Sequence, residues 1–111
     1  MVKKLTTLLV ILSLVIAVGG FAAAAPVVTV ADVLKSGVDD QRVTLEGTVV
    51  QQIRHEHFTF RDSTGDIEIE VDDDLLRIYG DIVNQNVRIH GKVDKEYNKT
   101  TVDVKTLEVL K

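Results

Sequence analysis

The sequence predicts a small all-β barrel of five strands with two short helical pieces. Three observations lead there. Beyond residue 41 apolar residues recur at every second position rather than every third or fourth. Two hairpins can be paired so that each apolar residue faces another. Two strands carry glycines, Gly47 and Gly91, on their apolar parity, where a sheet that closes on itself must bend.

In chain order, a targeting segment comes first. Met1–Lys4 is basic, Leu5–Val18 is predominantly apolar, and GGFAAAAP follows with small residues, which is the three-part layout of a secretory signal peptide. Cleavage needs small residues at the first and third positions before the cut and disfavours proline just after it. Ala22 and Ala24 meet the requirement, so residues 1–24 are expected to be removed and residues 25–111 to form the domain. Loss of Lys3 and Lys4 leaves 11 basic residues against 17 acidic ones, and the net charge moves from −4 to −6. The chain has no cysteine, which excludes a disulfide framework, a thiol nucleophile, thiolate-bound zinc and a lipid-bearing cysteine after the signal.

The exported domain opens with TVADVLKSG. Thr29 and Asp32 have the spacing of a capping box and Gly37 is placed to end the helix, so one helix is expected over Val30–Ser36. In the first strand Val43, Leu45, Gly47 and Val49 share one face, while Thr44, Glu46 and Thr48 share the other. HFTFRDSTGDIEIEV then reads as a hairpin around DSTG. In its register Arg61 faces Asp66, Phe60 faces Ile67, Thr59 faces Glu68, Phe58 faces Ile69 and His57 faces Glu70. Asp72 to Gln85 is less regular, with Leu75, Leu76, Ile78 and Tyr79 expected to pack one helical turn over the barrel end. A second hairpin, RIHGKVDKEYNKTTVDV, turns at EYNK and sets Lys95 opposite Thr100, Val93 opposite Val102, Lys92 opposite Asp103 and Gly91 opposite Val104. Beyond Thr106 the apolar parity changes to Leu107 and Val109, which signals a bulge.

A glycine-bent first strand, five strands in all and a helical insertion between the third and fourth describe a partly open barrel of the oligonucleotide/oligosaccharide-binding (OB) type. The runs VADVLKSGVDDQRVTLEGTVVQQI, FTFRDSTGDIEIEV and VRIHGKVDKEYNKTTVDV resemble the bacterial OB-fold (BOF) family of periplasmic stress-tolerance proteins over nearly all of residues 25–111. The resemblance rests most specifically on VTLEG, on the turn formed by Phe60, Asp62 and Gly65, and on GKVDKEYN followed by VDV. It implies a periplasmic binding or scaffolding protein linked to envelope stress, with no agreed enzyme activity and no settled ligand; no cofactor is expected. Tyr97 stands where many relatives carry tryptophan, and keeps a flat amphipathic ring at the tip.

OB barrels commonly bind on the outer face of strands two and three, framed by the loops between strands one and two and between strands four and five. Here those loops are Gln51–His55 and Glu96–Lys99. The candidate ligand-binding residues are therefore Arg54, His57, Thr59, Arg61, Glu68, Glu70, Asp72 and Tyr97. Asp66, Glu68, Glu70 and Asp72 stand about 6–7 Å apart along the third strand, and Asp73 and Asp74 extend the row. Such a row suits a cationic peptide, a partner protein of the envelope or a cell-wall glycan; a merely solvated face that protects the strand from aggregation is the plainer reading. The alternative is a periplasmic divalent-metal protein, with His55 and His57 opposite Asp72 and Glu70 as imidazole and carboxylate ligands for zinc, copper or nickel. Asp72–Asp74 lack the spaced oxygens and turn glycine of an EF-hand loop. Nucleic acid is not expected, because the face is acidic, Phe58 and Phe60 point to the core, and export removes the usual partner. No nucleophile motif, phosphate-binding glycine loop or histidine beside an evident nucleophile signals catalysis, and no membrane span is expected once the signal is cut.

Overall fold

The computed structural model describes residues 25–111; the predicted signal, residues 1–24, lies outside the described residues. A helix, α1 (Val30–Ser36), precedes three strands, β1 (Arg42–Arg54), β2 (His57–Asp62) and β3 (Gly65–Glu70). A second helix, α2 (Asp73–Tyr79), connects them to β4 (Asn86–Glu96) and β5 (Lys99–Val109). The strands close in the order β1-β2-β3-β5-β4, with β4 returning to β1. All pairs are antiparallel except β3 with β5, which run parallel over Glu68–Glu70 and Thr101–Asp103. This is the five-stranded OB barrel the sequence predicts.

α1 is held as expected. Thr29 Oγ1 accepts from the Asp32 amide and Asp32 Oδ2 accepts from the Thr29 amide, completing the capping box. Val30 and Val33 are buried, so the helix plugs one end of the barrel. Asp62, at the end of β2, accepts from the Val30 amide at 2.8 Å, and Thr64 accepts from the Ala31 amide at 2.9 Å, which ties the helix to the β2–β3 hairpin. Burial alone would raise the Asp62 carboxyl, but donors from Thr64, Val30 and Gly65 together hold it below the usual aspartate value.

The first hairpin has the expected register, from His57–Glu70 to Asp62–Gly65. The second pairs from Gly91–Val104 through Glu96–Lys99, leaving Tyr97 and Asn98 as its turn. The expected bulge is Lys105, the extra residue between the Gly91–Val104 and His90–Thr106 pairs, and it is what turns Leu107 inward. Gly47 and Gly91 lie where strands approach most closely: a Cβ on either would collide with the backbone carbonyl oxygen of Arg61 or Asp103 respectively. The core is one cluster that includes Leu45, Phe58, Phe60, Ile67, Ile69, Ile89 and Leu107.

Two expectations change. Gln51–Arg54 is not loop but the continuation of β1 along β2, with register shifts after Val49 and after Gln52, so only His55 and Glu56 form the turn. Each shift breaks the period-two pattern by which the strand would have been recognised. In α2, Leu75 and Leu76 pack against the core, but Ile78 is 71 % exposed and Tyr79 is also exposed. Gly80, at φ 71°, ends the helix with its amide donating to the Leu76 carbonyl, and Ile82 enters the core instead.

Candidate functional site

Closing the barrel aligns outward side chains in rows that cross several strands. One row runs Gln51, Thr59, Glu68, Thr101, Asp94, and the next runs Arg54, His57, Glu70, Asp103, Lys92. The parallel β3–β5 contact is what joins the β2–β3 hairpin to the β4–β5 hairpin in these rows. Between the β1–β2 turn and the β4–β5 tip they enclose a groove of about 280 Å³ lined by Arg54, His57, Glu68, Glu70, Asp94, Glu96, Lys99 and Thr101.

Glu68 is the hub of the groove. Its Oε2 accepts from Arg54 Nη2 at 2.9 Å and from His57 Nδ1 at 2.7 Å, and Oε1 lies 3.1 Å from Lys99 Nζ. Burial would raise this carboxyl. The hydrogen bonds from Lys99 and His57 and the charges of Lys99 and Arg54 outweigh that and hold it below the usual glutamate value. By contrast Glu70, Asp94 and Glu96 form no ion pair or side-chain hydrogen bond among the described residues. The groove thus sets four carboxylates against two permanent cations, both of which are already committed to Glu68.

The sequence-predicted residues divide accordingly. Arg54, His57, Glu68 and Glu70 meet in the groove. Thr59 lies in the adjoining row but does not line it. Arg61 is held away by a two-pronged pair with Asp66, at 2.7 and 3.0 Å, and borders a separate hollow with Val27, Glu46 and Thr48. The Arg61 hydrogen bond in turn keeps the Asp66 carboxyl low. Asp72 is occupied as the N-cap of α2, accepting from the Leu75 amide, so the anticipated acidic row is not a continuous free surface. Tyr97 projects fully exposed from the β4–β5 turn, with φ at 54°. Asp94, Glu96, Lys99 and Thr101 were not among the predicted site residues. The hairpin register already opposes Asp94 to Thr101 on the outer parity, but nothing local announces that β5 lies beside β3.

His55 and His57 do not converge on one point. His57 turns to Glu68, whereas His55, in the turn, directs Nε2 to Asp73 Oδ1 at 3.0 Å. The third histidine makes a contact not foreseen from sequence. His90 Nδ1 lies 2.8 Å from Thr44 Oγ1, and its Nε2 lies 3.5 Å from Glu108. Hydroxyl, imidazole and carboxylate in a line suggest a nucleophile and its base, but Thr44 is 1 % exposed and its hydroxyl donates to the Ala25 carbonyl. The hydroxyl proton is thus directed to a backbone carbonyl and the oxygen is shut away from solvent, so Thr44 is not placed to attack a substrate. The Ala25–Val28 segment also bonds to the Thr44 backbone from either side and covers it. On the same flank Arg88 bridges Glu46 and Glu108 at 2.7 and 2.8 Å. Among the described residues no helix is long and apolar enough to cross a membrane.

Comparison with known proteins agrees with this architecture. The profile of the family described as Bacterial OB fold (BOF) protein matches residues 14–109. The calcium-regulated OB-fold protein CarO of Pseudomonas aeruginosa is 32 % identical over 88 residues, covering 79 % of this chain and 76 % of CarO. An uncharacterized protein of Haemophilus influenzae is 35 % identical over 91 residues, covering 81 % of this chain and 75 % of that protein. The structure of the hypothetical protein ygiW from Escherichia coli superposes with a TM-score of 0.69 at 32 % identity, covering 83 % of this chain and 99 % of that one.

Proposed function

Because the chain belongs to the bacterial OB-fold family, we propose that it is an exported, non-enzymatic binding module of the bacterial envelope that holds a basic peptide segment of a partner protein in the groove beside Glu68. The observation that carries this reading is the set of three carboxylates, Glu70, Asp94 and Glu96, which make no ion pair among the described residues in a groove where Glu68 already takes three basic partners. A lysine or arginine side chain entering there gains charge-assisted hydrogen bonds without displacing an existing pair. Tyr97 supports a contact at the mouth. A β-hairpin turn at positive φ favours glycine or asparagine, so a tyrosine held there at 54° with its ring in solvent is a local cost that a ligand-facing role accounts for. Nucleic acid is opposed by the excess of carboxylates, and a run of stacked bases or sugars by the lack of Phe, Tyr or Trp among the described residues lining the groove, Tyr97 standing alone at its mouth. The buried Thr44 hydroxyl supports the non-enzymatic reading. By the family resemblance the binding serves envelope stress tolerance.

A lysine- and arginine-rich fluorescent peptide, an acidic peptide and soluble cell-wall fragments, titrated at two salt concentrations, test the proposal. Saturable binding of the basic peptide that weakens with salt is expected. Binding of the cell-wall fragments alone would replace the peptide with a glycan. Export is tested separately: intact-mass analysis of the periplasmic fraction should show a chain beginning at Ala25, and a full-length membrane-retained product would overturn it.

A further inference from the structure

The turn between β1 and β2 carries a second cluster that the groove does not use. His55 Nε2 faces both carboxylate oxygens of Asp73, at 3.0 and 3.1 Å. The Glu56 carboxylate completes a group whose ligand atoms all lie within 4.8 Å of one another. From this we infer a site for a first-row divalent transition metal, of which zinc is the probe of choice, bound by the imidazole of His55 and the carboxylates of Glu56 and Asp73, with water in the remaining positions.

The geometry is compatible with one ion. His55 Nε2 and the Asp73 oxygens, 3.0 and 3.1 Å apart as a hydrogen-bonded pair, are also at the roughly 3 Å separation that metal–ligand bonds of about 2.0–2.2 Å place between neighbouring ligand atoms. The ligands sit on fixed backbone: the Val71 amide donates to the Glu56 carbonyl and the Asp73 amide to Glu56 Oε2, each at 2.8 Å, so turn and helix start are held together before any ion arrives. One oxygen of Glu56 holds the Asp73 amide, which leaves the other for the metal. Asp72 is occupied as the helix cap and Asp74 pairs with Arg77, so neither competes as a ligand. The ligand charges match the ion: two carboxylates and a neutral imidazole balance a divalent cation. Imidazole as one ligand of three favours zinc, nickel or copper over calcium and magnesium, which take oxygen. Binding uses the Nε2 lone pair, so acid competes with the metal. With His55 75 % and Asp73 50 % exposed, solvent reaches the open positions.

Purified, chelator-stripped protein titrated with zinc chloride, with calcium chloride in parallel, tests the site by calorimetry and by the side-chain nitrogen resonances of the three histidines. One zinc per chain is expected, with the resonances of His55 shifting and those of His57 and His90 unmoved. His55→Ala and Asp73→Asn should each weaken zinc binding by about tenfold or more, while His57→Ala leaves it unchanged. Both altered side chains are at least half exposed and neither caps a helix, so melting should stay near that of the parent. Absence of saturable zinc binding, equal binding by His55→Ala, or displacement of zinc by equimolar calcium would each overturn the assignment. The peptide titration reads different residues, Glu70, Asp94 and Glu96, so the two readings fail independently.

Discussion

The two ends of the β4–β5 hairpin carry the same kinds of side chain and use them in opposite ways. At the far end Arg88 bridges Glu46 and Glu108, His90 reaches Glu108, and the Ala25–Val28 segment lies over Thr44. The acids there are spent on cations of the protein itself. Near the tip Asp94 and Glu96 stand beside Glu70 with no cation of their own, because Lys99 and Arg54 are both drawn to Glu68. The difference teaches that a count of acidic residues along a strand says little about binding; what matters is which of them the closed sheet leaves unmatched. Of the four alternating carboxylates from Asp66 to Asp72, Asp66, Glu68 and Asp72 are each engaged within the protein, and Glu70 alone makes no ion pair or side-chain hydrogen bond among the described residues.

The largest effect should come from destroying the frame that both ends share. Valine at Gly47 would drive its side chain into the Arg61 carbonyl, and at Gly91 into that of Asp103, so each change should cost about 3 kcal/mol or more in urea unfolding by overpacking against backbone that cannot move aside. Parent-like stability of both would mean that the strands are not this close.

Next comes the contrast in charge. Lysine at Glu70 and Glu96 together should weaken basic-peptide binding by about tenfold or more, mostly through slower association, and high salt should reproduce part of the loss. Arg88→Ala at the other end should leave peptide affinity unchanged. Equal loss from both changes would erase the distinction between the two ends.

The acid response sharpens it further. Asp62 and Glu68 have carboxyls held below their ordinary values in the folded protein, so each contributes stability that is fully present above the unfolded value, about pH 4, and is lost as pH falls through the lower folded value. Asp62→Asn should therefore destabilise the protein at pH 7 by about 1–2 kcal/mol, through weakened bonds to the α1 amides, and the difference from the parent should shrink as pH falls below about 4 and through the lower folded value. A constant offset across that range in chemical denaturation would show that the charge of Asp62 is not what matters.

The smallest effect belongs to the tip. Glycine at Tyr97 should raise stability by up to about 1 kcal/mol, because the residue sits at positive φ and its ring makes no buried contact. The same variant should weaken peptide binding by about 0.5–2 kcal/mol through faster dissociation, with the salt dependence unchanged. If it gains stability and loses no affinity, the tip is only a turn.

Local pattern was enough for the order of the elements and both hairpin registers. Alternating Phe58, Phe60, Ile67 and Ile69, and Val93 against Val102, allow one pairing without exposing a core residue, and a slip by one position would turn every side chain to the wrong face. The Thr29–Asp32 capping box and the two bend glycines were legible for the same reason, since their physics lies within a few residues or in the parity of one strand. The tertiary structure alone decided the rest. The extension of β1 through Gln51–Arg54 depends on bulges that erase the alternating signal, and the entry of Ile82 in place of Ile78 follows the helix end at Gly80, which takes a positive φ. The groove depends on a parallel contact of three residue pairs between β3 and β5, which brings Glu68 and Glu70 beside Thr101 and Asp103. Residues more than thirty positions apart become neighbours there, and whether a carboxylate is matched or open is settled only by who its neighbours are, a property of the closed surface that no single strand contains.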